Sequence, residues 1–170
     1  MKKSFAISKI LTLSLFFLLI FFSPMLHAQN TDKQEKENAR IEALKQIVEA
    51  RRFEFIAQTT TPMNGRTRQI SNYSLKIKKD TIDSDLPYYG RAYTATIGST
   101  EGGIRFTSTD FEYSSKDGAK GGWDIIIVPK GVRDVQQMTL SLSNSGYGTL
   151  RVNSNTRQMI SFYGYVEELK

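Results

Sequence analysis

The chain is expected to be mainly β, an antiparallel meander of about nine short strands forming a barrel or a two-layer sandwich, with one N-terminal amphipathic helix packed on it. Three observations predict this. Beyond Phe53, apolar residues recur at every second position. The alternating runs are separated by turn residues, among them Asn64-Gly65, Asp117-Gly118, Gly121-Gly122 and "NSGYG" from Asn144 to Gly148. Helical spacing is confined to the stretch before Phe53.

Residues 1–28 have the form of a secretory signal peptide. Lys2 and Lys3 supply the positive start, Ile10 to Phe22 the apolar middle, and "SPMLHA" a small-residue exit at Ala28. The apolar run is shorter than the roughly 20 residues a spanning helix needs, so cleavage is expected and no integral membrane span afterwards. With no cysteine after the run, a lipoprotein is excluded. The product is expected to be exported and soluble, in the periplasm or outside the cell.

Removal of the signal takes Lys2, Lys3 and Lys9 and no acid, so 23 basic residues become 20 against 17 acidic ones and the net charge falls from +6 to +3. That balance is mild, and a nucleic-acid binder concentrates basic groups on one face; no nucleic-acid partner is expected. His27, the only histidine, leaves as well, and the chain has no cysteine. Ser-His-Asp and Cys-His nucleophiles, thiolate or imidazole zinc sites, haem ligation by those residues and disulfides are thereby excluded. No catalytic residue and no cofactor is expected.

Residues 29–52 form a polar start followed by the helix. Ile41, Leu44, Ile47 and Val48 keep helical spacing, and Thr31 with Gln34 has the form of a capping box. The first two turns are wholly polar, which predicts docking only from about Ile41 onward. Residues 53–170 form the β domain. Alternation runs through Phe53, Phe55 and Ala57; Tyr73, Leu75 and Ile77; Tyr93, Ala95 and Ile97; Ile104 and Phe106; and Phe111 and Tyr113. It continues through Trp123, Ile125 and Ile127; Met138, Leu140 and Leu142; and Leu150 and Val152. An outer-membrane barrel would need longer strands with a lipid-facing apolar band, and "KIKKD" and "SLSNSG" interrupt any such band.

Two aromatic stretches are the candidate ligand-binding residues. "DLPYYGRAYTATIG" gathers Tyr88, Tyr89 and Tyr93 around Gly90 and Arg91. On a strand, Tyr89, Arg91 and Tyr93 share one face and Tyr88, Gly90 and Ala92 the other, placing Arg91 between two phenol rings. Such a platform suits a planar or sugar ligand, with the guanidinium gripping a carboxylate or phosphate. The structural alternative is a cation–π stitch with tyrosine hydroxyls bonded to backbone. In "SFYGYV", Phe162, Gly164 and Val166 face one way and Tyr163 and Tyr165 the other. A glycine so placed marks close packing or a bulge, and the functional alternative brings Tyr163 or Tyr165 into the cleft of Tyr89 and Arg91.

Asp80, Asp83 and Asp85 in "KKDTIDSDLP" form the acid cluster of the β region. Read as a loop, it is ordinary turn chemistry with a weak calcium candidate; hydrolysis would need two carboxylates facing across a cleft. "DGAKGGW" lacks the strand–loop–helix context of a phosphate cradle.

Four blocks, "AQTTTPMNGRT", "LPYYGRAYTA", "GGIRFTST" and "SGYGTLRVNSNTRQMISFYGYV", resemble domain of unknown function family 4251, small exported proteins typical of Bacteroidota. The resemblance covers nearly the whole chain after the signal. It implies a β-rich domain in a periplasmic or surface setting, and it brings no assigned activity or catalytic residue. The expected function is a non-enzymatic envelope protein that binds a small molecule or glycan in a Tyr/Arg-lined mouth. The alternatives are an interaction or structural subunit with an envelope protein partner, and a hydrolase built from carboxylates and tyrosines.

Overall fold

The computed structural model describes residues 25–93, 102–118 and 121–169. The chain divides into two compact units, Met1–Ala39 and Arg40–Lys170. The boundary falls inside helix α1 (Met25–Glu49). In the first unit the side chains of residues 33–39 are exposed, as their polarity predicts. Thr31 and Gln34 lie inside α1 and do not cap its start, because Leu26, Ala28 and Gln29 are good helix formers and continue the helix upstream. The apolar run of the signal reading, Ile10 to Phe22, lies outside the described residues. Among the described residues no helix is long and apolar enough to cross a membrane.

The second unit holds nine strands: β1 (Phe53–Pro62), β2 (Arg68–Ile77), β3 (Ile82–Leu86), β4 (Ile104–Ser108), β5 (Phe111–Asp117), β6 (Trp123–Pro129), β7 (Gln137–Leu142), β8 (Tyr147–Asn153) and β9 (Ile160–Glu168). They form one antiparallel sheet in the order β4-β3-β2-β1-β9-β8-β7-β6-β5. The two edge strands, β4 and β5, are consecutive in the chain and joined only by Thr109 and Asp110. A link that short spans at most about 10 Å, so it draws the edges together and the sheet becomes a nearly closed barrel. Of the two predicted architectures, the barrel is the one formed.

Inward positions carry the predicted apolar set. Phe53, Phe55, Leu75, Ile77, Ile125, Ile127, Leu140, Leu150 and Phe162 are fully buried. β1 changes parity midway: a register shift between Ala57 and Thr59 moves the inward series from Phe53, Phe55 and Ala57 to Thr60 and Pro62. Opposite this bulge β9 supplies Gly164, where a Cβ would overlap the Ile56 carbonyl. Gly164 also pairs across β8 with Gly148, whose own Cβ position is filled by the Ser141 carbonyl.

Leu44 and Val48 of α1 join the barrel core, with Ile41 and Ile47 partly buried beside them, so docking starts where the apolar spacing predicts. The helix ends with Arg51 in the left-handed region (φ 53°), while the Arg52 amide donates to the Ile47 carbonyl at 2.9 Å. The Tyr113 hydroxyl of β5 donates to the Val48 carbonyl at 2.9 Å, and the Arg51 guanidinium lies 4.8 Å from the centre of the Tyr113 ring. Burial raises the Tyr113 phenol well above its ordinary range, against the opposing pull of the Arg51 charge.

Two expectations are corrected. Of the acid cluster only Asp80 lies in a turn; Asp83 and Asp85 are the outward residues of β3, while Ile82, Ser84 and Leu86 point into the core. Buried Ser84 is tolerated there because its hydroxyl donates to the Ile104 carbonyl at 2.8 Å. The strand expected from Tyr93 to Ile97 is not seen to begin at Tyr93, which lies in a bend; Ala95 and Ile97 fall outside the described residues.

Candidate functional site

At the end of the barrel where β1 finishes and β9 starts, the segment after β3 folds back across the opening. Pro87 is buried and ends β3, as a residue without an amide donor must. Tyr88 to Tyr93 then run as irregular chain tied to the residues before β9. Ala92 bridges Arg157, the Tyr93 amide donates to the Thr156 carbonyl at 2.7 Å, and the Gln158 amide donates to the Arg91 carbonyl at 3.0 Å. Because the stretch is not a regular strand, the expected common face of Tyr89, Arg91 and Tyr93 does not form.

Arg91 does not lie between two phenols. The rings have other cations: the Arg157 guanidinium sits 5.1 Å from the centre of Tyr88, and that of Arg68 sits 5.0 Å from the centre of Tyr89. The Tyr88 hydroxyl reaches the carbonyls of Arg91 at 2.8 Å and Gln158 at 3.0 Å. Burial raises the Tyr88 phenol above its usual value, opposed by the Arg157 charge and by the bond to Gln158. Tyr88 is therefore half of a structural stitch.

Arg157, which nothing in the sequence distinguishes from the other basic residues, is the hub of that stitch. Its side chain is only 8% exposed and pairs with Asp134 at 3.2 Å. It also donates to the carbonyls of Gly102 and Gly103, each at 3.2 Å. The Asp134 carboxylate accepts in addition from the Thr156 hydroxyl at 3.0 Å, and the Ser154 hydroxyl accepts from the amides of Thr156 and Arg157 at 3.1 Å. One guanidinium thus joins the segment after β3, the chain before β4, the β6–β7 connection and the entrance to β9.

What remains open is a cleft of about 360 Å³ between this segment and the β1–β2 turn. Its lining includes Met63, Asn64, Tyr89, Arg91 and Gln158. Asn64-Gly65 makes the predicted turn, with Gly65 at φ 77° and its amide donating to the Pro62 carbonyl at 2.9 Å. That turn holds Met63 at the rim, 62% exposed, facing water where an apolar side chain gains nothing unless it is covered. Arg91 is exposed, and among the described residues its guanidinium has no hydrogen-bond or ion-pair partner. Tyr93 is exposed nearby and is not part of the lining.

Tyr163 and Tyr165 stand elsewhere. They face outward on β9, as their alternation with Phe162, Gly164 and Val166 predicts, and they do not line the cleft of Tyr89 and Arg91. Tyr147 of β8 joins them, 6.0 Å from Tyr163 between ring centres and 5.8 Å from Tyr165. Of the acids, Asp80 accepts from the Thr81 hydroxyl at 3.1 Å in the β2–β3 turn. Asp83 accepts from Thr107 at 3.0 Å, and Asp85 pairs with Arg105 at 2.7 Å. Among the described residues no group of three or more Asp, Glu, His or Cys side chains is placed to hold a metal ion.

An all-antiparallel, nearly closed barrel with a stitched mouth at one end and a docked helix defines a small β-barrel domain. The chain belongs to the DUF4251 family, whose description is "domain of unknown function", with the family match covering residues 35–166. It is similar to the crystal structure of a DUF4251 family protein from Bacteroides eggerthii DSM 20697. The two are 14% identical, with 76% of this chain and 88% of that one covered and a TM-score of 0.57, a likeness that shows the fold. No curated protein matches the chain.

Proposed function

We propose that the chain is an exported, non-enzymatic envelope protein that binds a small organic acid or acidic glycan fragment at the cleft beside Tyr89 and Arg91. Export rests on the signal-like pattern of residues 1–28. Binding rests on one observation: Arg91 lines a cleft with Tyr89 and Met63, and its guanidinium is unpartnered among the described residues. A planar fork of donors beside an aromatic ring matches a carboxylate carried on a sugar or ring. Tyr88 and Arg157 hold the cleft wall and do not meet the ligand.

The test is a thermal-shift screen of wild type and Arg91→Ala against peptidoglycan fragments, acidic and neutral glycans and organic acids. Stabilisation of the wild type by an acidic member, absent in Arg91→Ala while the unliganded melting temperatures agree, supports the proposal. No stabilisation by any member, or equal stabilisation of both proteins, overturns it.

The outward cluster of exposed Tyr147 and Tyr163 with half-buried Tyr165 favours a second reading, an interaction subunit that meets an envelope protein through the outer face of β8 and β9.

A further inference from the structure

The opposite end of β1 opens on a larger cavity, about 650 Å³. Ten residues of β1 separate it from the Tyr89 cleft, a distance of about 30 Å along an extended strand. Four cations line it: Arg52, just before β1; Lys76, on β2; and Lys78 and Lys79, in the β2–β3 hairpin. Among the described residues its apolar lining comes from Ala50 and Leu169, and its acid is Asp80.

Local structure holds these charges together. The Lys78 amide donates to the Thr81 carbonyl at 2.8 Å, closing the hairpin so that Lys78 and Lys79 are presented at its tip. The Leu169 amide donates to the Arg52 carbonyl at 3.4 Å, fixing the chain beside β1. Lys76 is 3.8 Å from Glu54, a partner outside the cavity lining. Arg52, Lys78 and Lys79 have no side-chain hydrogen bond or ion pair among the described residues. Asp80 is engaged by Thr81 at 3.1 Å. Like charges gathered around one space repel, and a bound anion relieves that repulsion.

We propose that this cavity binds a phosphate-bearing ligand. A carboxylate presents one charge and two oxygens. A phosphate group presents up to two charges on several acceptor oxygens, which the Arg52 fork and the point charges of Lys76, Lys78 and Lys79 can share. The apolar lining accepts the carbon attached to the phosphate. The ligand is either a soluble phosphate or the headgroup of an anionic lipid. The site is independent of the Tyr89 cleft.

The test measures binding of pyrophosphate by calorimetry and co-sedimentation with vesicles of phosphatidylglycerol and phosphatidylethanolamine, with phosphatidylcholine vesicles as control. Wild type is compared with Lys78→Gln/Lys79→Gln, and with Lys33→Gln/Lys36→Gln, which removes the same charge from the exposed face of α1. Wild type is expected to bind pyrophosphate or the anionic vesicles, and the hairpin double variant to lose about tenfold or more in affinity. The helix double variant is expected to match wild type. Binding of pyrophosphate identifies a soluble phosphate as sufficient, and binding of anionic vesicles alone identifies a lipid headgroup. Absence of both, or an equal loss in the two double variants, overturns the proposal.

Discussion

The Arg157 guanidinium lies 5.1 Å from the centre of the Tyr88 ring while its charge is paired with Asp134 at 3.2 Å. This relationship separates the two arginines of the mouth. Arg157 is a clamp with several partners, whereas Arg91 is exposed and unpartnered among the described residues. Arg157→Ala is expected to cost about 2–4 kcal/mol, since it removes charge-assisted bonds to the Gly102 and Gly103 carbonyls along with the ion pair. The figure stays below that of a fully buried pair because the Asp134 side chain is 37% exposed and regains water. Arg91→Ala is expected to change stability by about 0.5 kcal/mol or less. Urea denaturation of both variants checks this, and a reversed order would move the clamp to Arg91.

The strands were legible because their interior is apolar on alternate positions, as in Trp123, Ile125 and Ile127. β3 was not, because its inward series contains Ser84 and its outward series is Asp83 and Asp85, a composition that reads as turn. The tyrosine segment misled for the opposite reason: "PYYGRAY" has strand-like residues, but Pro87 withdraws a ladder donor and the chain leaves the sheet. The choice between barrel and sandwich was illegible because it depends on where the two sheet edges meet, which is set by register through all nine strands. Arg157 was illegible because burial of one basic residue among many depends on tertiary contacts with Gly102, Gly103 and Asp134.

The glycine at the bulge is expected to be indispensable. In Gly164→Ala the new methyl group would have to displace the Ile56 backbone at the point where β1 shifts register. Backbone cannot yield as a side-chain tip does, so a loss of about 3 kcal/mol is expected. Gly65→Ala is the comparison. Nothing lies within 4 Å of its Cβ position, and only its φ of 77° opposes a side chain, which costs about 1 kcal/mol. Denaturation midpoints of the two variants check the order. Equal losses would mean that the β1–β9 crossing is looser than this packing.

Tyr113 makes stability depend on alkaline pH. Its folded phenol is raised above the ordinary value of 10.0 by burial, so above that pH the unfolded chain loses a proton that the folded chain keeps. Stability is therefore complete below about pH 10 and falls as pH rises beyond it. Tyr113→Phe is expected to flatten that alkaline decline while lowering neutral-pH stability by about 1 kcal/mol, through loss of the bond to the Val48 carbonyl. Denaturation across the alkaline range, with ultraviolet absorbance following tyrosine ionisation, is the measurement. An unchanged alkaline slope in the variant would assign the decline to other groups.

Phe162 and Tyr163 are neighbours with opposite fates, and the contrast tests which way β9 faces. Phe162 is wholly buried, so Phe162→Ala leaves a ring-sized void in the barrel and is expected to cost about 3–5 kcal/mol. Tyr163 is 48% exposed and rests against Tyr147 at 6.0 Å on the outer face. Tyr163→Ala is therefore expected to cost about 1 kcal/mol or less, most of it the contact with Tyr147. That origin has its own signature. In a double-mutant cycle Tyr147→Ala and Tyr163→Ala should be less than additive, with a coupling of about 0.5–1.5 kcal/mol. Additive losses would show that the two rings do not support each other in solution. A Tyr163→Ala loss as large as that of Phe162→Ala would place Tyr163 inside the barrel and reverse the register of β9.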